Sequence, residues 1–448
     1  MSFYNSILNS VILPIGDRLF GGLYLKYIKQ WKVFDSKTET ELQDIQQEKL
    51  GEILNYAIKH VPQYHSINFD TSKSAEENLM TFPVLTKRVL RNAVDNLISS
   101  EYTKEDLDQN HSSGSSGEQS FTYMTHDHKF YLRALQTHWW HWSGYTIGDP
   151  LVQFGISHKR GITKRLKDFF YRCTYIKAFG LSPNELKEVS TIVANKKEVF
   201  IAGYPSVVNQ LALSSIKNKL QTPVEGIVCF GDKLFSHYEK NIKMAFSDNV
   251  NIIDTYGCAE GLLMACKYDL EYYYIMSPHV YIEIVDDDFN PLDDGQMGHV
   301  LVTCLTNFAL PILRYKLGDL AIKLPKSAYP DKRMLNYPLL QKVVGRETDI
   351  IKTTKGITLN VHSFTGVLEY FQTIQQYKVI QNELESITIE YIIDRHYNNF
   401  DTRTLDAIKK ELNTLTHHSL DIKFKEVEHI KPTASGKPQI IESNLKEA

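Results

Sequence analysis

Four short apolar runs constrain this chain more than any other feature: LVQFG (Leu151–Gly155), VFIAG (Val199–Gly203), VEGIVCFG (Val224–Gly231) and NIIDTYG (Asn251–Gly257). Runs of this length, rich in Val, Ile and Phe, read as buried strands. Helical stretches lie between several of them, the alternation expected of an α/β domain. The tempo then changes. HVYIEIVD (His279–Asp286) and GHVLVTCL (Gly298–Leu305) read as closely spaced strands around an Asp/Pro/Gly turn, which predicts a mostly β subdomain. Beyond it, SFTGVLEYF, YKVIQNE, SITIEYIID, TRTLDAIKKELNTL and DIKFKEVEHI read as helix, strand, strand, helix, strand, a small α+β module able to fold alone.

Three helical stretches complete the pattern. Leu42, Ile45, Leu50, Ile53, Leu54, Ala57 and Ile58 recur at helical spacing between Glu39 and His60, predicting one or two helices that end near Pro62. Pro83–Ile98 reads as a short helical segment, and Asp127–Trp142 as a helix carrying Trp139, Trp140 and Trp142. Aromatics at that spacing point to core packing before they point to an acyl pocket.

A chain of 448 residues exceeds one compact core. The boundary is expected near Val344–Asp349, dividing it into residues 1–345 and a smaller unit, 346–448. Lys+Arg 50 against Asp+Glu 53 gives no reason to expect a nucleic-acid partner. Five cysteines without a CxxC pair argue against a disulfide scaffold and fit a reducing, cytoplasmic setting. The apolar start is interrupted by Pro14, Asp17 and Arg18, so no transmembrane segment is expected there. This arm is expected to pack on its own domain, with a membrane or partner surface as the alternative.

Ser112–Gly117, within HSSGSSGEQS, supplies two Gly and four Ser. Such a stretch can turn sharply, bring backbone N–H groups together and surround an anion with hydroxyls. It follows a polar, helix-like run and precedes FTYM, which suits a strand. The spacing is not that of the Gly-x-x-x-x-Gly-Lys phosphate loop.

Four segments, in order from about Leu50 to Lys437, resemble the adenylate-forming enzymes: acyl-CoA synthetases, luciferases and peptide-synthetase adenylation domains. The chain looks most like their phenylacetate–coenzyme A ligase and CapK-like branch. SSGSSGEQS resembles the family's phosphate loop, which implies that Ser112, Ser113, Gly114, Ser115, Ser116 and Gly117 cradle the β- and γ-phosphates of ATP. DTYGCAEG resembles the motif in which Tyr256, followed by Gly257, packs on adenine and Glu260 holds Mg²⁺, an ion that prefers hard oxygen ligands. CFGDKL resembles the adenine-edge loop, with Gly231 allowing close approach. LRYKLGDL resembles the ribose motif through Asp319, and VGRETDIIK brings Arg346 near the ribose and α-phosphate. Gly356 matches a glycine that approaches the pantetheine arm of coenzyme A. KPTASGKPQI resembles the loop of the adenylation lysine, here Lys437. Two departures stand out: Glu118 where the family usually has Lys, and Thr348 at its hinge.

The resemblance implies a large N-terminal adenylate-forming domain with a small, mobile C-terminal α+β domain. It also implies a two-step reaction. A carboxylic acid attacks the α-phosphorus of ATP and pyrophosphate leaves, with Mg²⁺, Lys437 and Glu260 balancing charge. The acyl group, aryl or of medium size, then passes to coenzyme A. An amine, a carrier protein or a sugar is the alternative acceptor, and a catalytically weak nucleotide-binding scaffold the alternative class. A homodimer is the assembly left open. Some relatives carry a zinc site, for which Cys266, His279 and Cys304 are the only candidates, at spacings that do not establish one.

Overall fold

The computed structural model describes residues 3–19, 21–111, 121–155, 161–178, 181–258, 260–346, 350–355, 357–368, 371, 373–393, 401–430 and 440–445. The periodic stretch near the N terminus is a single helix, Glu39–His60. Thr38 caps it through a reciprocal bond with Glu41, and Leu42, Leu50, Ile53, Leu54 and Ala57 are its buried stripe. It stops at Val61, because the residue before Pro62 is held away from helical backbone. Pro83–Ile98 divides into two short helices, Lys87–Asn92 and Val94–Leu97.

Strands β1 (Asp108–His111) and β2 (Phe121–Met124) pair antiparallel as a two-stranded ribbon. The run before the Ser/Gly stretch is thus extended where a helix-like segment was expected. Its polar side chains bury little, and pairing with β2 decides its conformation. Next come β3 (Leu151–Gly155), β4 (Cys173–Lys177), β5 (Val199–Gly203), β6 (Val224–Cys229) and β7 (Asn251–Cys258). They pair in parallel in the order β7-β6-β5-β3-β4. Strand β4 was not legible from periodicity: as the edge strand CTYIK it is only half-buried.

The β-rich stretch continues the same sheet. Strands β8 (Leu262–Lys267), β9 (Tyr273–Ile275), β10 (Val280–Val285), β11 (Met297–Cys304), β12 (Tyr315–Lys323) and β13 (Leu339–Arg346) are antiparallel. The junction is β7, parallel to β6 and antiparallel to β8. One 11-stranded sheet results, ordered β10-β11-β12-β13-β9-β8-β7-β6-β5-β3-β4.

The C-terminal part follows the expected order. After the hairpin β14 (Ile350–Lys352) and β15 (Thr358–Asn360) come helix Val361–Leu368, β16 (Ile374–Glu383), β17 (Ser386–Ile393), helix Thr402–Leu415, β18 (Asp421–Glu426) and β19 (Ile441–Ser443). Its four-stranded sheet, β18-β17-β16-β19, closes on a core that includes Phe364, Val379, Ile389, Ile408 and Leu412. Phe235, from the loop after β6, is buried in that same core.

Trp139 and Trp142 are buried beside Trp31, Tyr131 and Tyr274, so the tryptophan-bearing helix His126–Trp142 is chiefly a packing element. Among the described residues no helix is long and apolar enough to cross a membrane.

Candidate active site

The site is built where two strands end their regular pairing. On β7, Ile253 and Asp254 are buried, and the Thr255 hydroxyl donates to the Cys229 carbonyl at 2.9 Å, fixing the strand against β6. Opposite Tyr256 and Gly257 the register of β8 shifts by one residue. A Cβ on Gly257 would stand 2.8 Å from the Leu262 carbonyl oxygen, so only glycine fits there.

On β12 the irregularity is larger. His299 pairs with Leu320 and Leu301 with Lys316, so β12 spends extra residues at Leu317–Asp319, with Gly318 at φ +79°. This bulge re-aims Asp319. The Tyr256 hydroxyl donates to the Asp319 carboxylate at 2.9 Å. Burial, together with that carboxylate, pushes the Tyr256 hydroxyl well above its ordinary pKa. On the next strand Asp319 faces Arg346 in register.

Strands β13, β9 and β8 stand between β12 and β7. In a flat sheet those two strands would lie about 19 Å apart. The sheet must therefore curl to bring Tyr256 to Asp319. The narrowest place in the curl is the β9–β13 seam, which has two register pairs, Leu339 with Tyr274 and Leu340 with Tyr273.

Glu260 sits half-buried just past β7 and accepts a long hydrogen bond from the Tyr315 hydroxyl at 3.4 Å. Burial and the nearby Glu260 carboxylate push the Cys258 thiol and the Tyr315 hydroxyl up. A Cβ on Gly261, at φ +90°, would meet Met124 of β2 at 3.1 Å. The β1–β2 ribbon thus lies against the Glu260 turn, and its His111–Phe121 pair holds the two ends of the Ser/Gly stretch together. Gly231, at φ +84°, has the Tyr204 ring where a Cβ would be, at 2.4 Å. Two residues on, Lys233 donates to the Val344 carbonyl at 2.7 Å, which joins this loop to β13.

The described residues thus bring Tyr256, Asp319 and the backbone of Arg346 together, with Glu260 and Gly257 adjoining. Gly231 stands at the end of β6, one strand over. Ser112, Ser113, Gly114, Ser115, Ser116, Gly117, Gly356 and Lys437 lie outside the described residues, as do Glu118 and Thr348. The zinc candidates do not form a set of three: the His279 imidazole and the Cys304 thiol both bond the Thr306 hydroxyl, at 2.8 and 3.7 Å, while Cys266 belongs to another core cluster. Among the described residues no group of three or more His, Cys, Asp or Glu could hold a metal ion.

Sequence reasoning missed three supports. Asp254 is buried, its carboxyl pushed up to about 6 by loss of solvent, and accepts from the Tyr273 hydroxyl at 2.5 Å. Tyr315 had a signal, since it opens the strand that carries Asp319. Arg314 is fully engaged inside the protein: its guanidinium meets Glu283 at 3.1 Å and the carbonyls of Phe82 and Phe289 at 3.3 and 3.2 Å.

The model of the CapK C-terminal domain family matches residues 351–444. The chain is 23% identical over 426 residues to Protein CapK of Staphylococcus aureus, covering 91% of this chain and 90% of that one. It is 34% identical over 125 residues to phenylacetate-coenzyme A ligase of Escherichia coli (strain K12), 27% of this chain and 26% of that enzyme. A crystal structure of 2-hydroxyisobutyryl-CoA ligase in the postadenylation state shares the fold, with a TM-score of 0.72 at 15% identity, covering 92% of this chain and 91% of that one. With a relative along its whole length, a ligase along part of it and this fold around it, the chain is similar to the adenylate-forming enzymes, and its residues 351–444 match the CapK C-terminal family.

Proposed function

We propose that this enzyme activates a carboxylic acid, aryl or of medium size, as an acyl-adenylate and passes the acyl group to coenzyme A as a thioester. The observation that carries this reading is the Tyr256–Asp319 contact, with Arg346 as the cross-strand neighbour of Asp319. An aromatic ring and a carboxylate in contact, with an arginine one strand over, suit a nucleoside monophosphate: a face for the base, an acceptor for two ribose hydroxyls and a residue type that would supply a cation for phosphate. Gly231, whose missing side chain admits the Tyr204 ring, would let the backbone of its loop approach the edge of the base. The Ser/Gly stretch, from Ser112 to Gly117, would hold the departing phosphates.

The hard oxygens of Glu260 fit magnesium, which when bound would offset phosphate charge. Lys437 would bring an ammonium between the attacking carboxylate and the α-phosphoryl group, acting on the charge that develops there. Residues 1–345 would form the adenylation domain and 346–448 a small domain that moves about Thr348, taking Lys437 away and bringing Gly356 toward the pantetheine thiol. We place the enzyme in the cytoplasm, where coenzyme A is available.

The test is ATP–pyrophosphate exchange across aromatic, fatty, hydroxy and amino acids, followed by loss of free thiol when coenzyme A is added. Exchange with one acid and thiol loss with the same acid is the expected result. Folded protein that binds ATP yet exchanges with no acid would sink the reading.

A second reading keeps the adenylation and changes the acceptor to an amine, a carrier protein or a sugar. It is favoured by one relative: over 179 residues the chain is 28% identical to indoleacetate–lysine synthetase of Pseudomonas savastanoi, whose name gives an amine acceptor. Exchange without thiol loss, and adenylate consumed on addition of an amine, would select it. The scaffold reading is the one that ATP binding without exchange would select.

A further inference from the structure

The first helices of the chain, Phe3–Ile7 and Leu13–Leu19 with the π-helical turn Leu8–Ile12 between them, have two apolar faces where a packed arm needs one. The inner face is accounted for. Tyr4, Leu8, Ile12 and Leu13 join a core cluster with Tyr145, Ile147 and Phe170. The Tyr4 hydroxyl donates to the Phe170 carbonyl at 2.6 Å, and the Asn9 amide to the Ile147 carbonyl at 2.8 Å. The outer face carries Phe3, Ile7, Val11, Ile15 and Leu19, one every fourth residue and from 39% to 83% exposed.

Helix Ile162–Phe170 adjoins this arm through Phe170, and the Arg172 guanidinium just after it lies 5.7 Å from the Tyr4 ring. It presents a second exposed apolar row: Ile162 at 87%, Leu166 at 56% and Phe169 at 74%. Eight of the nineteen exposed large apolar side chains among the described residues therefore belong to these two neighbouring elements. Single exposed apolar residues need no explanation, whereas a concentration of this kind marks a contact surface.

Charge decides between partners. Lys164, Arg165, Lys167 and Arg172 are exposed alongside the second row, and Arg18 alongside the first. The acids nearby are turned to internal use or partly covered. Asp17 accepts from the backbone N–H groups of Tyr24 and Leu25, Asp149 from the N–H of Thr146 and the Asn5 amide, and Asp168 is half-buried. Apolar rows flanked by long cationic side chains match the boundary between acyl chains and anionic headgroups. Side chains exposed to this degree stand proud of the surface. A deformable bilayer accepts such a ridge, where a protein partner would need a complementary groove.

We propose that this ridge, helix Ile162–Phe170 beside the outer face of residues 3–19, seats the enzyme on the surface of a bilayer containing anionic lipid. The proposal is independent of the acid and of the acceptor.

Sedimentation of the full-length chain with phosphatidylcholine vesicles, with and without phosphatidylglycerol, tests it. Binding is expected to the anionic vesicles, weakening as salt is raised. The triple variant Ile162→Ser/Leu166→Ser/Phe169→Ser should lose roughly tenfold or more in partitioning. Lys164→Glu/Arg165→Glu should lose binding chiefly to anionic vesicles. Phe3→Ser/Ile7→Ser, on the other element, should weaken binding independently, with circular dichroism reporting that each variant is folded. Absence of binding to anionic vesicles at low salt would overturn the proposal, as would binding that none of these variants changes. A dimer formed without lipid and abolished by the triple variant would also overturn it, because a second copy would then cover the ridge.

Discussion

Arg314, just before β12, and Asp319, midway along it, stand five residues apart and do opposite work. Arg314 and its partner Glu283 are 4% and 7% exposed, with the guanidinium also bonded to three main-chain carbonyls. Its backbone sits at φ +46°, and its N–H donates to the Thr303 hydroxyl at 3.0 Å. Asp319 is half-buried, thrown outward by the bulge at Gly318 and met by a tyrosine hydroxyl. The difference teaches that depth assigns the role of a charge. A buried ion whose partners are fixed holds chain segments in place. A carboxylate at the rim, paired with a neutral hydroxyl, can exchange that partner for a hydroxyl of a ligand.

The most severe way to test that contrast is Arg314→Ala, which strands the Glu283 carboxylate. It should cost about 3–5 kcal/mol of stability in denaturant titration. A loss below about 1 kcal/mol would erase the distinction between the two positions. Lys437→Ala should do the reverse. Acyl-adenylate formation should fall by roughly 10²–10³-fold, while the melting temperature and thioester formation from supplied acyl-adenylate hold. Equal loss of both half-reactions would remove the role given to that lysine.

Asp254 offers a test of depth through pH. Burial raises its carboxyl from 3.8 to about 6, so the folded chain binds a proton that the unfolded chain has released. The stability it contributes is present at low pH and is lost as pH rises through about 6. Asp254→Asn should therefore gain up to about 3 kcal/mol relative to the parent between pH 4 and pH 7.5. An unchanged difference across that range would show that the carboxyl titrates normally.

Asp319→Asn should leave the denaturation midpoint nearly unmoved and weaken ATP by about 1.5–3 kcal/mol, seen as a raised KM in exchange. A matching fall in stability would class it with Arg314. Smallest is Gly318→Ala. Nothing crowds a Cβ there, so the backbone at φ +79° alone should cost about 1–2 kcal/mol.

Much of the fold was legible because it rests on local pattern. Strands β3, β5, β6 and β7 are short, mostly apolar runs, of which β5 is buried throughout, and the C-terminal strand β17 alternates. The misses share a cause. Strand β4 is an edge with half-buried residues, and β1 is polar, so partners rather than composition make them extended. The site divides the same way. Tyr256, Glu260 and Asp319 belong to short motifs that can be read along the chain. Their meeting cannot be read that way: 63 residues separate Tyr256 from Asp319, and the bulge and register that join them exist only in the sheet.

The curl of that sheet has a mechanical corollary. Strands β12 and β7 reach each other round β13, β9 and β8, and the β9–β13 seam in that path is pinned by two residue pairs. A seam so short leaves the alignment of the tyrosine with the carboxylate to the packing of few side chains. Leu339, Leu340, Tyr273 and Tyr274 thereby become the gauge of that alignment. Altering their bulk would widen or narrow the place offered to a nucleoside while every group that touches it stays the same.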